Sequence, residues 1–206
     1  MNRALLKENA KKSLQGKYGD AIALLGIMFA FSFALGLVIV FFGLEEDLAS
    51  TLSDLCSLLI SCALGFGMTS YFLKISRNEP VTYNELFSKT NMFVSYLSIS
   101  LLVGLFIFLW TLAFIIPGII AALSYSMVFF VKLDNPDMGA MDVLRKSKQI
   151  MSGHKMDYFV LGLSFLGWAI LGAFTLGILY LWLIPYMQVS YANFYNSIKD
   201  VNKTTV

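Results

Sequence analysis

The sequence predicts an all-α fold: a polytopic integral membrane helical bundle of six transmembrane helices arranged as three hairpins, with amphipathic helices at the N-terminus and in one cytoplasmic loop. Three observations predict it. Of 206 residues, 58% are hydrophobic and only 14% charged, a balance that suits lipid better than water as the main solvent. Long stretches without a basic side chain separate four short basic segments. All fifteen Lys and Arg residues fall within those four segments.

Residues 1–19 hold Arg3, Lys7, Lys11, Lys12 and Lys17, with Leu6, Ala10, Leu14 and Tyr18 spaced four apart between them. This spacing predicts an amphipathic helix on the inner membrane surface, its apolar side towards acyl chains and its ammonium groups towards anionic headgroups. Two uncharged stretches follow, Ala21–Leu44 of 24 residues and Leu55–Leu73 of 19. Each suits one crossing of a hydrocarbon core about 30 Å thick, giving spans 21–44 and 55–73. The first stretch exceeds a signal-peptide core, and Gly43-Leu44 lacks a small-x-small site, so cleavage is not expected.

Thr90–Val131 and Tyr158–Ile198 run to 42 and 41 residues. A helix that long would measure roughly 60 Å, about twice the core, so each is expected to fold back as two spans. Pro117-Gly118 divides the first into 93–116 and 118–132, because Pro cannot continue the helical ladder and Gly permits a tight reversal. Thr175-Leu176-Gly177 divides the second into 158–175 and 178–198, and Pro185 is read as a kink within the last span. Lys132, at the end of a short span, is expected to snorkel.

The connecting segments also carry local signals. Thr82-x-x-Glu85 reads as a capping box opening a short helix after Pro80. In the cytoplasmic loop 133–157, Asn135 offers an N-cap, Pro136 a first helical residue and Gly153 an end. Between them Met141, Leu144, Lys148 and Met151 share one side while Arg145 and Lys146 lean away. Asp134 and Asp137 are read as serving loop and cap geometry. Residues 1–206 form one membrane domain.

Orientation follows from the cations. Lys74, Arg77 and Lys89 lie between spans two and three; Lys132, Arg145, Lys146, Lys148 and Lys155 lie between four and five; Lys199 and Lys203 lie in the tail. None is left for the opposite face, whose longest loop holds Glu45, Glu46 and Asp47, so both termini are expected in the cytoplasm. Small residues four apart predict close helix packing: Gly26, Ala30 and Ala34; Ser57, Ser61, Gly65 and Thr69; Gly118, Ala122 and Ser126. The pairs Ser70-Tyr71, Ser124-Tyr125 and Ser190-Tyr191 recur near the cytoplasmic ends of three hairpins, a faint internal repeat.

Chemistry is sparse. Apart from Asp54, no ionisable side chain is predicted at depth, which argues against a proton-driven pump. Gln188, Tyr191 and Tyr195 fall on one face of the last span. Interhelical hydrogen bonds, worth about 0.6–2 kcal/mol each, are the plainer reading; a polar substrate patch beside Pro185 is the other. Cys56 and Cys62 lie about 240° apart around a helix and suggest neither a disulfide nor a shared metal site. His154 is the only histidine, and His154 with Lys155 reads as a helix C-terminus. No catalytic, metal or cofactor constellation emerges, and no groove for nucleic acid.

Ile116-Pro117-Gly118-Ile119, Ser124-Tyr125-Ser126-Met127, Asp134-Asn135-Pro136-Asp137, Ser152-Gly153-His154-Lys155, Phe165-Leu166-Gly167-Trp168, Trp182-Leu183-Ile184-Pro185-Tyr186 and Phe194-Tyr195 follow one another in this order. Together they resemble the bacterial integral membrane family catalogued as domain of unknown function 975, over nearly the whole chain. Met156 departs from the aromatic expected there. The resemblance implies a multi-pass protein of the bacterial cytoplasmic membrane and no assigned activity. A more distant likeness is to the membrane-embedded part of glycerophosphodiester phosphodiesterases, whose catalytic barrel has no counterpart here.

The sequence thus leads to a non-enzymatic membrane protein that scaffolds the envelope or assists a partner. Lys7, Lys11, Lys12, Arg145, Lys146, Lys148, His154 and Lys155 are the candidate contacts to anionic lipid on the cytoplasmic leaflet, to a membrane-protein partner or to a second copy. The alternative is a small permease or exporter, or a bacteriocin-immunity protein, for an apolar or amphiphilic substrate.

Overall fold

The computed structural model describes residues 3–41 and 46–199, and these are all-helical apart from turns. In chain order the helices are α1 (Arg3–Leu14), α2 (Tyr18–Phe41), α3 (Glu46–Ser76), α4 (Phe93–Ala113), α5 (Ile115–Tyr125), α6 (Val128–Asp134), α7 (Ala140–Ile150), α8 (Lys155–Phe174) and α9 (Tyr180–Ile198). Two short 3-10 turns, Tyr83–Leu86 and Thr90–Met92, lead from α3 to α4. Three stretches are long and apolar enough to cross a membrane among the described residues: Thr90–Ala113, Ile115–Asp134 and Lys155–Phe174. Gly43, Leu44, Glu45 and Lys203 lie outside the described residues, as do the side chains of Glu46, Asp47, Cys56, Ser57, Ser61 and Cys62.

Several boundaries differ from the sequence expectation. The N-terminal helix stops at Leu14, where Gly16 at φ +79° turns the chain into α2. The third helix starts at Glu46, so the acidic residues Glu46 and Asp47 extend it instead of forming a loop. The α4–α5 reversal falls on Phe114, whose extended backbone (φ −162°, ψ 148°) separates the helices. Pro117 sits in the first turn of α5, where a missing N–H costs nothing. Gly118 serves close approach instead of a turn: a Cβ there would collide with the Thr111 side chain. The segment 118–132 is two helices, broken at Ser126-Met127, where the Ser126 hydroxyl donates to the Leu123 carbonyl at 2.9 Å.

Other local readings hold. Leu176 (φ 51°) and Gly177 (φ 86°) carry the α8–α9 reversal at the predicted Thr175-Leu176-Gly177. Pro185 lies inside α9.

Burial is concentrated at one end of the helices. One cluster joins Leu6, Met127, Val131, Val143, Leu144, Ile150, Leu161, Phe194 and Ile198; a second joins Ala10, Leu14, Ala21, Leu24, Leu64, Phe72, Ile75 and Val189. Helix α9 is central, packing on α1, α2, α3 and α8. The apolar stripe of α1 is therefore covered by protein, with Leu6, Ala10 and Leu14 buried, and is not turned to acyl chains. The same holds for α7. Its buried side is Val143, Leu144, Ser147 and Ile150, against α4, α5 and α6, while Met141 and Lys148 are exposed.

The other end is inverted. Phe29, Phe33, Phe41, Leu112, Phe114, Ile115, Ile116, Phe174 and Leu176 stand largely exposed, Leu176 at 94%. The small-residue stripe of α2 is exposed too, and a Cβ on Gly26 would meet nothing. On α3, by contrast, a Cβ on Gly65 would run into the Tyr96 ring, the close contact that such a stripe predicts. On α5, Gly118 is buried and Ala122 exposed.

Candidate functional site

The buried end is where the basic segments meet. Lys17 of the first segment donates to the Glu79 carbonyl of the second at 3.4 Å. Arg77 of the second pairs with Asp134 of the third at 2.8 Å, and Lys199 of the tail reaches the same carboxylate at 3.2 Å. Four segments far apart in sequence thus share one end of the fold.

Asp134 is the hub of that junction. Both its oxygens accept from one nitrogen of the Arg77 guanidinium, Nη2, at 2.9 and 2.8 Å, a charge-assisted contact shared across the carboxylate. The Tyr195 hydroxyl donates to Oδ2 at 3.1 Å, and the Tyr195 ring stacks on Phe130. Arg77 Nε also donates to Asn196 Oδ1, while Asn196 Nδ2 donates to Ser76 Oγ at 2.9 Å. The ends of α3, α6 and α9 are thereby tied through charged hydrogen bonds. This corrects the reading of Asp134 as a loop residue. Its partners lie 57 and 65 positions away, beyond any local pattern.

Neighbouring polar residues are also placed differently. Lys132 does not snorkel: it is 6% exposed and donates to the carbonyls of Pro136 at 2.7 Å and Met138 at 2.8 Å. Folding back on its own loop gives the ammonium two acceptors that a buried cation requires. Asn135 closes α6 instead of opening the next helix, its amide donating to Val131 O at 2.9 Å. Pro136 lies in the turn, and α7 begins four residues later at Ala140, with Gly139 at its N-cap. Thr82 makes no side-chain cap, and Glu85 turns to Ser70 and Lys74, each at 2.6 Å. Burial alone raises the Glu85 carboxyl, but the Lys74 ammonium and the Ser70 and Ser88 hydroxyls outweigh it, so the group titrates below its usual range.

The candidate cations divide into engaged and free. Lys7 donates to the Ser164 carbonyl at 3.2 Å and sits 4.2 Å above the Phe165 ring centre. Lys12 pairs with Glu8, Arg145 with Asp142, and Lys146 with the Asn135 side chain. Lys11, Lys148 and Lys155 make no hydrogen bond or ion pair among the described residues. His154 and Lys155 open α8 instead of closing α7, after a turn in which Gly153 adopts φ +82°. Residue 154 is the N-cap position, and its Nδ1 is buried 3.8 Å from Asp157.

The predicted polar face of α9 is split up. Tyr195 is buried in the Asp134 junction, Tyr191 packs against Tyr158 and Phe165, and Gln188 is exposed. The three repeated serines are all buried but bond differently. Ser70 holds Glu85, Ser190 Oγ returns to Tyr186 O, and Ser124 Oγ to Ile120 O, while Ser147 donates to the Ser124 carbonyl. Among the described residues no three His, Cys, Asp or Glu side chains gather as metal ligands would.

Two grooves pair free lysines with apolar walls. One, of about 300 Å³, is lined by Lys11, Tyr18, Trp168, Trp182, Leu183 and Tyr186. A second, also about 300 Å³, runs along α5 and is lined by Lys148, Lys155, Tyr125, Ile120, Pro117 and Trp110, among others.

The family model described as "Protein of unknown function (DUF975)" matches residues 1–122 and 112–202, which together span almost the whole chain. The chain belongs to this family. No curated protein and no solved structure matches it. DUF975 membership carries no activity with it, so the reading of these residues rests on their geometry.

Proposed function

We propose that this DUF975 protein is a non-enzymatic, multi-pass protein of the bacterial cytoplasmic membrane that binds anionic phospholipid at its basic end. In this reading six helical segments cross the bilayer, in α2, α3, α4, α5–α6, α8 and α9, with both termini in the cytoplasm. It organises lipid or a membrane partner at the inner leaflet. The observation that carries the reading is the division of the fold into two ends. The four basic segments meet around a half-buried, hydrogen-bonded junction, and the opposite end exposes a large apolar surface. Such a surface is unfavourable in water and matched by hydrocarbon. Free cations at the junction end add attraction to an anionic leaflet, about 1 kcal/mol each.

The permease reading needs a polar face open to a passage. Tyr195 and Tyr191 are instead taken up in packing and in the Asp134 junction, which weighs towards lipid binding.

Two measurements test the proposal. With Cys56 and Cys62 replaced by Ser, a single cysteine at Glu46 should react with a membrane-impermeant maleimide added outside intact cells. A cysteine at Arg145 should react only after permeabilisation. Protein purified in mild detergent should carry anionic over zwitterionic phospholipid in excess of the membrane ratio. Reversed labelling, or a lipid ratio equal to that of the membrane, refutes the reading.

A further inference from the structure

The α5 groove has a directional build. Ser147 donates to the Ser124 carbonyl at 2.9 Å, which fixes α7 against the Tyr125 end of α5 and brings Lys148 to that end. Lys155 begins α8, which packs on α5. Pro117 lies eight residues back along α5, about 12 Å at the helical rise, and Trp110 beside it at the end of α4. One mouth is therefore cationic, while the wall leading away is Ile120, Ala121, Pro117 and Trp110.

Among the described residues no carboxylate lines the groove. Of the acidic side chains nearest in sequence, Asp142 accepts from Arg145 at 3.0 Å, and Asp157, in the first turn of α8, lies 3.8 Å from His154 and does not line the groove. The two ammonium groups make no hydrogen bond or ion pair among the described residues; both line the groove, and Lys155 stands at the N-terminus of a 20-residue helix whose dipole adds positive potential. Two like charges lining one groove raise one another's energy, and an anion bound between them relieves it. An apolar wall running from that mouth matches an acyl chain and not a small hydrophilic anion.

We propose that this groove holds one anionic phospholipid, its phosphate between Lys148 and Lys155 and an acyl chain along Ile120 and Pro117 towards Trp110. The assignment rests on the lipid-binding reading above, but names a discrete site within it. A volume of about 300 Å³ is at the small end for ligand pockets and suits a headgroup with the upper part of one chain.

The test is native mass spectrometry of the full chain in mild detergent, titrated with phosphatidylglycerol or phosphatidylcholine. Wild-type protein should retain one phosphatidylglycerol at low lipid ratio and no comparable phosphatidylcholine. Lys148→Gln with Lys155→Gln should weaken that first binding roughly 30-fold, from the usual worth of a lysine at an anionic surface. Lys11→Gln with Lys12→Gln removes equal charge elsewhere and should leave it within about twofold. Ala121→Phe, which fills the wall but keeps both lysines, should also release the lipid, with unchanged helical circular dichroism confirming the fold. Equal losses from the two lysine pairs would overturn the site while sparing general anionic-lipid binding. Equal retention of both lipids by wild type would overturn the site and the broader reading together. Stoichiometric binding of glycerol 3-phosphate would overturn the assignment to a lipid.

Discussion

Replacing Asp134 by Asn removes one negative charge from between two cations while keeping the side chain's size. The amide retains a single acceptor oxygen and turns an NH2 towards groups that can only donate, Arg77 and Lys199. A hydrogen bond to a charged group contributes about 1.5–3 kcal/mol, and stripping one partner from a fully buried pair costs about 3–5 kcal/mol. Here the carboxylate is 21% exposed and its partners 26% and 27%, so water and counterions recover part of the loss. The expected destabilisation is about 2–3 kcal/mol, measured by reversible denaturant unfolding in detergent followed by circular dichroism. A double-mutant cycle with Arg77→Gln should show a coupling of about 1 kcal/mol or more, because the second substitution removes a contact already lost. A single-mutant loss below about 0.5 kcal/mol, or additivity within that margin, would show that Asp134 does not tie α3, α6 and α9 together.

Gly65→Ala should cost about 1–3 kcal/mol in the same assay, because its Cβ would enter the Tyr96 ring. Gly104→Ala, with nothing within 4 Å, should be neutral or slightly stabilising, and equal effects would discredit the close α3–α4 contact. Glu85 titrates below its reference value of 4.5, so its contribution is complete above that value and disappears as pH falls through the lower folded one. Hydrogen exchange at Tyr83–Leu86 should accelerate across that acid window in wild type, and Glu85→Gln should be fast and pH-independent after correction for intrinsic rates. Matching pH profiles in the two proteins would remove Glu85 as the group responsible.

Much of the secondary structure was legible because one interaction dominated it. A long uncharged apolar run bounded by turn residues reads as a helix, and α2, α4, α8 and α9 follow the expected runs closely. The Thr175-Leu176-Gly177 reversal was legible because Gly tolerates positive φ, and Gly177 adopts it. Asn135-Pro136 misled because its local grammar is ambiguous: Asn suits either a helix end or an N-cap, and the Lys132 and Lys146 contacts decide between them. Glu85 misled because a reciprocal cap competes with a cation, and Lys74 lies 2.6 Å away. The faces of α1 and α7 misled in another way. Amphipathicity shows that a helix has an apolar side, but not whether lipid or protein covers it.

By itself the sequence determined where most helical segments lie and where charge is confined. These properties depend on residues within a few turns of one another, where periodicity and composition carry the information. The tertiary structure alone decided that Asp134 gathers Arg77, Tyr195 and Lys199, and that Lys148 and Lys155, unpaired among the described residues, line one apolar groove. Ion pairing and burial depend on distance through space, and a chain that reverses repeatedly brings together residues whose separation in sequence gives no sign of it.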